Sequence, residues 1–176
     1  LILTPTEIAG VYVVELEPRP DERGFFARSW CQREFEQHGL DARLVQCNIS
    51  HNLHRATLRG LHYQATPHPE TKLVRCTQGA IYDVALDLRP EQPTFRKWVA
   101  LELSARNRRA LYIPAGCAHG FQSLTDESEV LYHMSEYYHP DLARGVRWND
   151  PAFAITWPLP QPLLSPRDAG YPDFSP

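Results

Sequence analysis

The sequence contains no Cys-x-x-Cys pair. Its four cysteines, Cys31, Cys47, Cys76 and Cys117, stand far apart, which excludes zinc-ribbon and dithiol redox motifs. Reduced thiols in the cytoplasm are the expectation; four cysteines permit two disulfides, but nothing argues for a secreted chain. No apolar run approaches the roughly 18 residues of a membrane span. The opening LILTPTEIAG lacks the basic start and apolar stretch of a signal peptide. No membrane partner is expected. Excess charge of one sign is missing too. A net charge of -3 and a pI of about 6.2 give no bulk attraction to nucleic acid, although a local basic pocket remains open. Neither an internal repeat nor a low-complexity linker interrupts the 176 residues. That length suits one domain, expected to span 1–176.

What is abundant is proline, with 16 residues. Proline is kept out of central strands and helix interiors, so its spread predicts many short strands joined by rigid turns. SWCQREFEQHGL is the one early helix candidate, with Ser29 as its cap and Gly39 at its end. KLVRCTQGAIYDVALDLR reads as two strands broken at Gln78-Gly79. In the second, Tyr82, Val84, Leu86 and Leu88 fall on one face, with Asp83 and Asp87 on the other. PTFRKWVALELS, RRALYIPAGCAHGFQSL and SEVLYHMSEYYHP continue the pattern. At least six strands at roughly ten-residue spacing predict an all-β sandwich or barrel. Near the C-terminus, SPRDAGYPDF is expected to form a short turn or helix.

The polar residues on or beside these strands are Arg59, His62, Lys72, His119 and Tyr132, with Asp168 in the tail. Lys72 follows His62 by ten residues, on a neighbouring or successive strand. A base on one strand and a cation on the next suit removal of a proton beside a carbonyl: the base takes the proton and the cation stabilises the developing oxyanion. Each residue also has a plainer reading. His62 fits core packing as well as proton transfer. Lys72 suits a solvated strand edge, Tyr132 a core, Asp168 a cap or turn, and His119 the close of a turn. For a metal, LHYQ has no second His two residues on, and His51 and His54 lie in a polar loop. No bound metal is expected, although distant imidazoles can converge.

Taken together, LRGLHYQ, TKLVR, IYDVALDLRPEQPTF, LYIPAGCAHGFQSL, VLYHMSEYYHP and GVRWNDPAFAITWP resemble the dTDP-4-dehydrorhamnose 3,5-epimerase family. The resemblance runs in ordered blocks from about Thr6 to about Asp168. It implies a double-stranded β-helix, the jelly-roll cupin architecture, and a homodimer without metal or redox cofactor. The implied substrate is a nucleotide diphosphate carrying a 4-keto-6-deoxyhexose, epimerised at carbons 3 and 5 or at one of them. His62 then matches the family's proton-abstracting base, and Asp168 the carboxylate that orients it. Lys72 matches the cation beside the enolate oxygen, and Tyr132 the proton donor. Arg23, Gln46, Asn48, Arg59, His119 and Arg167 match substrate contacts. Tyr138 matches the ring that stacks on the nucleotide base.

The chain departs from the family pattern at Arg28 and Ala143, where members usually have Glu, and at Cys47, where they usually have Asp. Arg28 belongs to the expected substrate-binding set. These changes admit a nucleotide other than dTDP, such as CDP. Competing readings are a 3-only or 5-only epimerase, a sugar-nucleotide ketoisomerase, a non-catalytic sugar-nucleotide binding module and a metal-dependent enzyme on the same fold.

Overall fold

Two antiparallel sheets face each other, built by the alternation seen in the sequence. The computed structural model describes residues 1–175; Pro176, the last residue of the expected domain, lies outside them. In chain order, β1 (Ile2–Pro5) and β2 (Tyr12–Glu15) precede a small hairpin of β3 (Arg19–Asp21) and β4 (Gly24–Phe26). Helix α1 (Gln32–Gln37) follows. Then come β5 (Gln46–Asn52), β6 (Leu58–Gln64), β7 (Lys72–Gln78), β8 (Ala80–Asp87) and β9 (Trp98–Ser104). The chain continues with β10 (Ala110–Ile113), β11 (Cys117–Ser123), β12 (Ser128–Met134), β13 (Ala143–Gly145) and the four-residue helix α2 (Pro166–Ala169).

One sheet runs β1-β2-β10-β7-β12-β5 and the other β13-β6-β11-β8-β9. The eight strands from β5 to β12 therefore divide as β5-β12-β7-β10 against β6-β11-β8-β9. That interleaving of two Greek keys is the jelly-roll order. The expected all-β class holds. No helix among the described residues is long and apolar enough to cross a membrane.

Between the sheets lies a core of Val74, Ile81, Ala85, Leu111, Phe121 and Val130. A second cluster, Leu61, Val84, Leu86, Ala118, Val146 and Phe153, packs on the outer face of the β8 sheet under the C-terminal segment. Strand β8 is consequently buried on both faces. Asp83 and Asp87, on the face opposite Val84 and Leu86, are 0% exposed. Each is paired: Asp83 with His119 at 2.7 Å and Asp87 with Arg89 at 2.8 Å. A carboxylate so deep needs such a partner.

Ser29 does not cap α1. The helix starts later, at N-cap Cys31, which makes no capping side-chain hydrogen bond. Packing holds it instead: Phe35 is 1% exposed and its ring lies 5.7 Å from that of Tyr112. Burial of one such side chain is worth about 1.5–3 kcal/mol, more than a typical cap. Gly39 does end the helix, at φ +70° just beyond C-cap His38.

Strands β6 and β11 approach closely at Gly60 and Gly120. Gly60 has φ +124°, and a Cβ there would lie 2.5 Å from Gly120 Cα. The β6–β11 register shifts between His119 and Phe121, leaving His119 opposite His62.

Candidate active site

A cavity of about 730 Å³ opens between the two sheets. The β5 sheet supplies Gln46, Asn48, Lys72, Tyr132 and Met134 to its lining; the β6 sheet supplies Arg59, His62, Gln64, His119 and Ala143. Ser165, Arg167 and Asp168 close one side. The lining holds four full cations, Arg59, Lys72, Arg144 and Arg167, against two carboxylates, Glu70 and Asp168. Such a surplus suits a polyanionic ligand.

His62 Nε2 lies 2.6 Å from Asp168 Oδ1. The C-terminal segment makes this pairing possible by running beside β6: Thr57 bridges to Leu163, and Leu58 N–H donates to Leu163 O. Ser165 then caps α2, accepting from Asp168 N–H at 3.1 Å, with Pro166 in the first turn. Burial works against ionisation of Asp168. Hydrogen bonds from His62, Gly60 N–H and Ser165 outweigh it and hold the carboxyl below the usual range. With Nε2 engaged by a carboxylate, Nδ1 is the nitrogen left to accept a proton.

Lys72 sits on the facing sheet and is buried with Glu70. Its Nζ is 2.6 Å from Glu70 Oε1 and donates to His62 O at 3.2 Å. The other oxygen, Glu70 Oε2, is buried without a partner. Glu70 escaped the sequence reading because it lies in a proline turn. Period-two spacing puts it on the same side as Lys72, and that was the available signal.

Tyr132, on the neighbouring strand of the same sheet, is raised above the ordinary tyrosine pKa by burial and then by Glu70's charge, against an opposing effect of Arg59. The phenol therefore holds its proton. His119 Nε2 bonds Asp83 Oδ1 at 2.7 Å, a second imidazole–carboxylate pair beside His62. Arg59 is braced by Asn52 Oδ1 at 2.8 Å and by His51 O at 3.3 Å, with its remaining donors left for the cavity. Tyr138 donates its backbone N–H to Gln46 Oε1, and Arg167 Nε donates to Tyr171 Oη at 2.9 Å.

Ten of the residues singled out in the sequence thus line one cavity. Arg23 and Arg28 do not. Arg23, with an 84% exposed side chain, pairs with Asp21 on the β3–β4 hairpin; Arg28, 62% exposed, pairs with Glu34. Of the departures, Ala143 lines the cavity, whereas Cys47 is exposed and points away from it. His62 and His119 are each bound to a separate carboxylate. Among the described residues, the one set of His, Cys, Asp or Glu close enough to share an ion is His68, Glu136 and His139, outside this cavity.

Residues 5–176 match the family model described as dTDP-4-dehydrorhamnose 3,5-epimerase. The protein of that name from Shigella flexneri is 46% identical over 164 residues, covering 93% of this chain and 90% of that one. The solved dTDP-4-dehydrorhamnose 3,5-epimerase of Bacillus anthracis, with TDP and PPi bound, has a TM-score of 0.94 at 41% identity, covering 98% of this chain and 99% of that one. The dTDP-6-deoxy-D-glucose-3,5-epimerase of Legionella pneumophila, in complex with dTDP-4-keto-L-rhamnose, has a TM-score of 0.90 at 40% identity, covering 97% and 90%.

Proposed function

The chain belongs to the dTDP-4-dehydrorhamnose 3,5-epimerase family, and from that premise we propose that it inverts carbons 3 and 5 of a dTDP-linked 4-keto-6-deoxyhexose. The carrying observation is the placement of the His62–Asp168 pair on one wall of the cavity and of Tyr132 and Lys72 on the other. A ketone at carbon 4 acidifies the hydrogens on both flanking carbons. His62, oriented by Asp168, removes one of them. The Lys72 ammonium stabilises the enolate oxygen, a contribution of about 3 kcal/mol for one well-placed donor. Tyr132 returns a proton from the opposite face, which inverts the centre. Base, acid and cation all come from the chain.

Arg59 and Arg167 hold the diphosphate through their planar forks. Gln46, Asn48 and His119 contact the substrate, and Tyr138 stacks on the base. Arg23, in the β3–β4 turn, and Arg28, just past β4, reach a substrate only from a second chain, because neither lines the cavity of its own chain. That hairpin also exposes Phe25 and Phe26, at 42% and 71%, a surface suited to a partner. The working unit is accordingly a homodimer in which each hairpin completes the other site. Four free cysteines fit a cytoplasmic setting, with a nucleotide sugar, not nucleic acid or membrane, as the partner.

Of the three departures, Ala143 lines the chain's own cavity, Arg28 reaches the partner's and Cys47 neither; dTDP is favoured because the relatives are named for dTDP sugars. Proton NMR in deuterium oxide with dTDP-, CDP-, GDP- and UDP-linked 4-keto-6-deoxyglucose tests this. Fastest turnover of the dTDP sugar, with deuterium entering carbons 3 and 5, is expected. A preference for CDP, or a product whose carbonyl has moved, overturns the reading.

A further inference from the structure

We infer that His68, Glu136 and His139 form a binding site for a divalent transition cation of the zinc class, separate from the proton-transfer residues. Their coordinating atoms all lie within 4.8 Å of one another. The two imidazole rings stack with centroids 4.3 Å apart and planes 13° off parallel. Glu136 Oε2 stands 3.7 Å from His68 Nδ1.

The three residues come from two connections, residues 65–71 between β6 and β7 and residues 135–139 after β12. One buried side chain fixes both. Gln64, 3% exposed, donates to His68 O at 2.6 Å and to Tyr137 O at 3.0 Å, and accepts from His139 N–H at 2.8 Å. The backbone under the cluster is thus already ordered. An ion has to turn the stacked rings until their in-plane lone pairs converge, while the backbone beneath them stays in place, which lowers the entropic cost of binding.

Two imidazoles and one carboxylate suit zinc and its neighbours. Calcium and magnesium prefer an all-oxygen set. Three protein ligands leave a fourth position for water, and the partly exposed His68 leaves a path from solvent. The Tyr137 N–H donates to Glu136 Oε1 at 2.8 Å, which leaves Oε2, on the His68 side, for an ion.

The site stands independently of the epimerase reading. It adjoins the large cavity through Tyr138, which lies between Tyr137 and His139 and lines that cavity. An ion here ties down the segment that carries Tyr138.

The test is a Co²⁺ titration of the full chain after treatment with chelator, followed by displacement with Zn²⁺. Wild type should take up a single equivalent, with visible d–d bands that Zn²⁺ removes. His68→Ala and His139→Ala should each weaken uptake by more than the roughly 10–100-fold that loss of an outer-shell partner costs. Zn²⁺ should raise the melting temperature of wild type and leave that of His68→Ala, a surface change that preserves the fold, where it was. Absence of uptake by wild type overturns the site. So does uptake undiminished in both His variants, which would put the ion on Cys47 or on the cavity imidazoles.

Discussion

His62 and Asp168 lie 106 positions apart in the sequence and meet at 2.6 Å. A strand and a four-residue helix at the far end of the chain are brought together to make the proposed base. The rest of the proposed chemistry depends on that contact.

Asp168→Asn keeps the shape and removes the charge that orients His62. The expected result is a fall in kcat of about 10²- to 10⁴-fold, with KM little changed. Because the folded carboxyl is held below its usual range, the pair adds stability above about pH 4. That contribution disappears as pH falls through the lowered folded value. Thermal melting across acid pH measures it. Wild type should exceed Asp168→Asn at neutral pH, and the two should converge in acid.

Tyr132→Phe removes the proposed proton donor and keeps the ring. The base can still exchange the substrate hydrogen, so deuterium uptake should outlast inversion, which should drop by about 10²- to 10⁴-fold. Proton NMR reports both rates in one experiment. Equal loss of exchange and inversion would assign Tyr132 a different role.

Glu70→Gln should move the alkaline limb of the kcat profile to lower pH. Burial and the Glu70 charge raise Tyr132, so in wild type the phenol stays protonated past the ordinary value of about 10. Without that charge it ionises earlier. A profile that stays in place would show that Glu70 serves only to seat Lys72.

Arg23 and Arg28 offer a test of the dimer. Arg23→Ala/Arg28→Ala should raise KM, and His62→Ala should abolish turnover. Mixed dimers of the two variants contain one site with an intact His62 and an intact partner hairpin. After exchange of chains, activity with the wild-type KM should return in that fraction of sites. No recovery would place the hairpin outside the partner's site.

The thiols report which way β5 faces. Burial pushes Cys76 to about 11 and Cys117 to about 12, and both are nearly inaccessible. Ellman's reagent should label Cys47 and Cys31 in the native protein and all four after denaturation. Substrate should not protect Cys47, and Cys47→Ser should leave kinetics unchanged. Protection would bring Cys47 into the substrate site.

Much of this architecture was legible before any coordinates. The break at Gln78-Gly79 and the strands after it follow from alternation, because a half-buried strand writes its period into the sequence. Alternation put Asp83 and Asp87 on the face opposite Val84 and Leu86, as found, but did not reveal that this face is buried too. A strand covered on both faces loses its polar side, and only the pairing with His119 and Arg89 allows carboxylates there. Ser29 misled for a different reason: α1 is held by Phe35 in the core, which a capping pattern does not reveal. His62, Lys72, Tyr132 and Asp168 were found as separate residues and through family blocks. Their convergence was legible only through the family resemblance, since it depends on a β6 to α2 contact across 106 positions that no local pattern shows. Glu70 was missed because a carboxylate in a proline turn reads as solvated. The placement of Arg23 in the β3–β4 turn and of Arg28 just beyond β4, both outside their own cavity, was equally hidden.

The central claim is that His62 removes a proton beside the sugar ketone. The most direct measurement is deuterium incorporation into dTDP-4-keto-6-deoxyglucose in deuterium oxide, comparing wild type with His62→Ala, with binding of the sugar nucleotide checked by calorimetry. Exchange at carbons 3 and 5 with wild type, and none with a His62→Ala protein that still binds, is the predicted result. Exchange at the wild-type rate in His62→Ala would contradict it.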